Sequence, residues 1–308
     1  MDPLTHCLIG AVSAKAVKAS PRRLLVMGIL GLAPDIDVIM NVFGGWAHLF
    51  QHRGITHSFV GLFLQAIFFS ALFKKWDKGS FNERAFQYSI PLALHIFCDY
   101  LTSYGVPLFS PFSLASFSWD LAGSLNLFPV ALTIGALWFL HKKKLHGWKA
   151  TAPVWGMWVV YFMLVATGRG YAAKLTQGSG DMVTAVPSIS SPLSWRALAL
   201  DQKTNDYRHY EIDIWSGSVT FLGRSPQPGG DFPVQKSLNS SLVQEFMKNN
   251  RWPAVRVEET NAGWRVEWGS IIYSVRGMVR GKVAVNVSRN GEITNQQSVV
   301  SFWDPQLN

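Results

Sequence analysis

A small set of histidine and aspartate positions has the types and spacing to hold a metal ion. His52 and His57 lie five residues apart, bracket the turn Arg53-Gly54-Ile55-Thr56 and lead straight into an apolar segment. A neutral imidazole nitrogen is the side-chain donor most readily used for a transition metal. His95 and Asp99 are four apart in a stretch with helical character, so both project from one face and can share or bridge divalent ions. Asp35 and Asp37 follow Pro34 at the end of another apolar segment; on a turn, one carboxylate can ligate while the other orients a histidine. His6 opens the first apolar segment. Polar turns and hydrogen-bonded helix pairs use the same residue types, but inside apolar segments that plainer reading weakens, because ionisable groups there are costly.

His6, Asp35, His52, His57, His95 and Asp99 therefore form the expected ligand set. Nitrogen and oxygen donors without thiolates suit one or two divalent ions, with Zn favoured over Mn or Fe. Such an ion lowers the pKa of water to about 7. Asp35 or Asp37 is the candidate general base. Arg53 suits an anionic group such as phosphate. His48 and Asp120 are supporting candidates, His141 and His146 sit among lysines and are set aside, and His209 reads as a surface strand residue.

The elements that must position these residues read as helices in the first half. Segments Leu4–Ala19 and Leu24–Ala33 are short for a crossing and suit a helical hairpin; Ser58–Phe73, Arg84–Thr102, Leu125–Leu140 and Ala152–Thr167 read as spanning helices. The expectation is an α-helical membrane bundle of about six helices, four clearly spanning, over residues 1–169. A linker, 170–194, and a β-rich soluble domain, 195–308, follow. In the last region, runs at 195–201, 207–215, 218–223, 264–268, 271–276, 282–288 and 293–301 look like strands, with one helix near 240–250.

Composition agrees with that division. Charged residues make up 15% of the 308, against about 25% in ordinary soluble domains. Twelve of the thirteen basic residues before Gly168 fall at one end of the alternating helices, and only Arg53 falls at the other. That asymmetry makes the lysine-rich end cytoplasmic, the ligand end and the β-rich domain extracytoplasmic, and the protein a multi-pass bacterial inner-membrane protein. The net charge of +9 resides in such loops, so no nucleic-acid partner is expected; membrane lipids are. Cys7 and Cys98 make no disulfide framework, and the N-terminus lacks the basic region of a removable signal peptide.

Thr5-His6, Pro34-Asp35-Ile36-Asp37, His52-Arg53-Gly54-Ile55-Thr56-His57-Ser58 and His95-x-x-x-Asp99-x-x-Thr102-x-x-Gly105 together resemble the YdjM-like family. That resemblance covers about residues 1–170. It implies a LexA-binding, inner-membrane-associated, metal-dependent hydrolase with a distant likeness to zinc-dependent phospholipase C and P1 nuclease. The full zinc-ligand set of those enzymes, including a ligating N-terminal Trp, is absent here, so one or two ions are expected rather than three. The expected function is hydrolysis of a phosphoester, with a lipid as candidate substrate, at the extracytoplasmic face. The alternative is a non-enzymatic, metal-stabilised membrane scaffold whose outer domain binds an envelope partner. Ion transport is disfavoured, since no acidic or histidine residue lies deep in the later spans.

Overall fold

The computed structural model describes residues 2–37, 53–102, 105–113, 115–122, 127–176, 181–188, 191, 193–250, 252–275 and 278–303. The chain divides into two compact units, Met1–Thr167 with Ile189–Pro192, and Gly168–Ser188 with Leu193–Asn308.

The first unit is helical: α1 (Pro3–Ala16), α2 (Pro21–Leu30), α3 (Phe59–Leu72), α4 (Phe81–Tyr100), α5 (Leu127–Lys142) and the start of α6 (Trp148–Leu175). Each of the first four starts where its sequence supplies a cap. Asp2 and Ser20 accept hydrogen bonds from the backbone N–H of Thr5 and Arg23, with Pro3 and Pro21 in the first turns. Ser58 accepts from the Gly61 N–H, and Ser80 from the Glu83 N–H in a Ser-x-x-Glu arrangement. Glycine lets α1 and α2 approach closely. A Cβ on Gly10 would stand 2.4 Å from the Met27 carbonyl oxygen, and one on Gly31 2.2 Å from that of His6. Met27, Leu30, Tyr88 and Leu92 fill the core between α1, α2, α3 and α4.

Among the described residues, one helix rather than four is long and apolar enough to cross a membrane by itself: α6, with 28 residues. The reason is length for α3 and α5, and composition for α4. The 14 residues of α3 reach about 21 Å, short of the roughly 30 Å hydrocarbon layer. α5 has 16 residues, and α4, at 20, carries Glu83, Arg84, His95 and Asp99. These helices nonetheless present apolar side chains outward, including Phe63, Leu64 and Phe68 on α3 and Phe128, Leu132 and Trp138 on α5. Exposed apolar surface of that extent marks a membrane or a partner.

The second unit is β-rich. Strands β1 (Asp181–Pro187), β2 (Ser194–Asp201), β3 (Asp206–Asp213) and β4 (Ser218–Pro226) form one antiparallel meander. α7 (Phe232–Ser237) and α8 (Ser241–Asn249) follow, then β5 (Pro253–Thr260), β6 (Gly263–Val275), β7 (Met278–Ser288) and β8 (Ile293–Trp303) form a second. Val186, Leu198 and Tyr207 from the first sheet pack against Ala254, Ile271 and Val279 from the second. α7 and α8 lay Val234, Val243 and Phe246 on Trp268, Val283 and Val285. The stretch 170–194, read as a linker, holds the last turns of α6 and strand β1. Runs 264–268 and 271–276, read as two strands, belong to the single strand β6. His209 is 5% exposed, not a surface residue, because β3 turns it toward the space between the sheets. With burial as its cause, its pKa falls to about 4, so the ring stays neutral.

Candidate metal centre

Four side chains meet at the end of the helical unit where α2 finishes, α3 begins and α4 approaches its C-terminus. They are Asp35 from the turn after α2, His57 from the 3-10 turn Ile55–His57, and His95 and Asp99 from α4. The His57 and His95 Nε2 atoms lie 3.1 Å apart. His57 Nε2 is 3.3 Å from Asp35 Oδ1 and 3.4 Å from Asp99 Oδ2; His95 Nε2 is 3.5 Å from each of the same oxygens. Ligand atoms around a tetrahedral ion at 2.0–2.1 Å are separated by about 3.3–3.4 Å. Five separations in the cluster therefore match the edges of one tetrahedron, and all four ligand atoms lie within 4.8 Å of one another.

The hydrogen bonds on the far side of each ring say which nitrogen faces inward. His95 Nδ1 is 2.7 Å from the Gly31 carbonyl oxygen, which can only accept, so Nδ1 carries the proton and Nε2 presents its lone pair. His57 Nδ1 is 3.0 Å from Thr56 Oγ1, whose hydroxyl donates to Asp37 Oδ2 at 2.8 Å. The proton again belongs on Nδ1. Two inward lone pairs at 3.1 Å repel unless a cation or a proton lies between them. Burial alone would lower the His57 pKa, but the carboxylates of Asp35, Asp37 and Asp99 raise it to about 10. Burial opposes ionisation of Asp35 as well, yet hydrogen bonds with His57 and His95 keep its carboxyl far below the usual range.

The remaining sequence candidates take supporting positions. Asp37 Oδ2 accepts from the Arg53 backbone N–H at 3.0 Å and stands 3.6 Å from His57 Nδ1, so it orients the ligand rather than joining the four. Arg53 is buried at φ +62°; its guanidinium reaches Asp99 Oδ1 at 3.0 Å, Thr102 Oγ1 at 3.1 Å and the Gly105 carbonyl oxygen at 3.3 Å. That places its charge on the ligand Asp99. His6 stacks on His95 with ring centroids 3.7 Å apart, and its Nε2 is 3.3 Å from Asp99 Oδ1, the oxygen turned away from the four-atom cluster. His6 therefore buttresses the cluster, or adds a second ion's ligand through Asp99. Asp120 is buried and accepts from Ser118. His48 and His52 lie outside the described residues. Sequence reasoning missed the supporting roles of Thr56, Thr102 and the Gly31 carbonyl. The Thr56 and Thr102 hydroxyls were visible inside the two motifs, whereas nothing in the sequence pointed to a backbone oxygen.

Residues 1–174, which contain every part of this centre, match the YdjM inner membrane protein family. The chain belongs to that family. Among curated proteins it is similar to "Uncharacterized protein YfhP" of Bacillus subtilis, 27% identical over 155 residues that cover 45% of this chain and 46% of the relative. It is also similar to "Inner membrane protein YbcI" of Escherichia coli, 32% identical over 90 residues covering 29% of this chain and 52% of the relative. The chain thus spans about half the length of the curated relatives it matches. No solved structure matches. YdjM family membership makes this an inner-membrane type of protein, and the family match ends within α6, before strand β1 begins.

Proposed function

We propose that this YdjM family member is a membrane-bound, metal-dependent hydrolase of phosphoesters acting at the extracytoplasmic face. The observation that carries the reading is the tetrahedral spacing of Asp35, His57, His95 and Asp99 with both imidazole lone pairs turned inward. A bound divalent ion, Zn favoured, would supply a Lewis acid and a water of lowered pKa. The protein's own contribution is unequal among the ligands. His57, His95 and Asp99 are sealed, with side chains 0–1% exposed, whereas the Asp35 side chain is 20% exposed. Substrate access is therefore on the Asp35 side of the cluster. Asp37 and Thr56 hold the His57 tautomer, and Arg53 holds Asp99.

The lysine-rich loops at the far ends of α1, α3 and α5 support a multi-pass arrangement with those loops in the cytoplasm and the centre outside. The β-rich domain, reached through α6, then lies outside as well.

A second reading has its own support: four protein ligands, three of them sealed, are the pattern of a structural metal site. On that reading the ion stabilises a scaffold. The test is metal content and turnover on detergent-purified protein, with bis-p-nitrophenyl phosphate and phosphatidylglycerol as substrates. The hydrolase reading expects one or two equivalents of metal and turnover, both lost in His57→Ala and Asp99→Ala. Metal-loaded protein that turns over neither compound overturns it in favour of the scaffold.

A further inference from the structure

Beside the candidate metal centre, residues 105–113 and 115–117 belong to a short irregular hairpin closed by reciprocal backbone hydrogen bonds between Val106 and Phe117, 2.8 and 3.0 Å long. Both of its anchors lead to the centre. The Gly105 carbonyl accepts from Arg53, which holds the ligand Asp99. The Leu108 carbonyl accepts from the Phe59 N–H, two residues after the ligand His57, at 3.0 Å.

The hairpin is aromatic and turned outward. Phe109 is 50% exposed and Phe112, at its tip, 87%. Phe59, Phe109 and Phe117 form an edge-to-face series, each pair of ring centroids 5.7 Å apart. Phe59 is also the first residue of α3, whose outward face continues through Phe63, Ile67 and Phe68. The aromatic series is therefore continuous with an exposed apolar helix face, which in an inner-membrane family member suits the bilayer. It also adds apolar surface at the end where α3, at about 21 Å, falls short of the roughly 30 Å layer. No ionisable side chain interrupts residues 105–117.

We propose that this hairpin is a membrane-inserted aromatic lip that seats the metal centre at the outer bilayer interface, and that the centre's substrate class is a membrane lipid. This rests on the ligand cluster being the functional site.

The experiment places the full-length protein in nanodiscs of phosphatidylcholine and phosphatidylglycerol and labels it with the hydrophobic carbene precursor 3-(trifluoromethyl)-3-(m-iodophenyl)diazirine. Adducts are mapped by peptide mass spectrometry, and metal content is measured on the same sample. The expected result is adduct density on 105–117 equal to that on α3, with only background on the exposed Trp215 hairpin of the β-rich unit. In Phe112→Asp, adducts on the hairpin fall to background and those on α3 stay. Labelled α3 with an unlabelled hairpin in the native chain overturns the lip, whether or not metal is bound. A labelled hairpin in protein that binds no metal keeps the lip and removes the hydrolase reading, so the two fail separately.

Discussion

The helical unit contains two buried ionic clusters at opposite ends of the same three helices. At the start of α2 and α4, Arg23 meets Asp77 at 2.7 Å and also Glu83; Tyr88 donates to Asp77 at 2.6 Å, and Arg84 donates to the backbone carbonyls of Ser70, Asp77 and Gly79. Two carboxylates face two guanidinium groups, and the sum is zero. At the other end Asp35, Asp37 and Asp99 contribute −3 and Arg53 +1, leaving −2 with two inward imidazole lone pairs. Each cluster has a buried heart and one more exposed carboxylate, Glu83 in the first and Asp35 in the second, but the first is balanced by its own side chains whereas the second would be balanced by one divalent cation. Balance separates a structural lock from a ligand site more clearly than burial does.

Four expected outcomes would break or sharpen that contrast. The largest concerns occupancy. Asp99→Asn should take metal content from stoichiometric to background by inductively coupled plasma mass spectrometry, while Asp77→Asn leaves it intact. Equal metal loss in both variants would erase the distinction. The next is stability. Asp77→Asn removes the buried partner of Arg23 and leaves only the half-exposed Glu83 to offset its charge, which should cost up to about 3 kcal/mol with or without chelator. Chelation should instead lower the native protein's Tm, by the equivalent of about 2.7 kcal/mol where free metal had stood at roughly 100 times Kd, and should leave the Tm of Asp99→Asn unmoved.

A smaller effect tests the orienting residue. Asp37→Asn should weaken metal affinity by about 10–100-fold in a competition titration while four-ligand binding persists, since it holds His57 through Thr56. Complete loss would instead make Asp37 a ligand.

The smallest concerns the β-rich unit, where His209 is buried with desolvation as the cause of its shift. A lowered folded pKa means the unfolded chain binds the extra proton first. This residue's contribution is therefore full above pH 6.5 and is lost as pH falls toward about 4, at a cost of about 1–3 kcal/mol. His209→Gln should flatten that part of the unfolding profile. An unchanged profile would show that His209 is solvated, and that burial without a counter-charge does not by itself hold a histidine neutral here.

Much of the fold could be read locally. The helices lie close to where apolar runs and caps put them, because Ser20, Ser58 and Ser80 each offer a hydroxyl to the first turn. Crossing number could not be read the same way. Runs such as Ser58–Phe73 gain end residues in a sequence reading that the structure places in caps and 3-10 turns, and α3 ends at Leu72. In the β-rich unit, β1 and β5 escaped notice. β1 lies inside the stretch whose composition reads as a linker, and the alternation in Val255–Glu259 is too short to stand out.

For the centre, sequence alone determined the chemistry of the donors and one local pair, His95 and Asp99, since four residues of helix put both on one face. It also placed His57 at the entrance to α3. Only the tertiary structure decided that Asp35 joins the candidate ligand cluster while Asp37 sits behind His57, because two carboxylates two apart on a turn are equivalent until Arg53 and Thr56 claim one of them. It alone decided that Arg53 turns inward to Asp99, and that His6 stacks on His95. Those outcomes depend on how α1, α2 and α4 pack together, with Gly10 and Gly31 permitting the close approach of α1 and α2, which spacing along the chain does not encode.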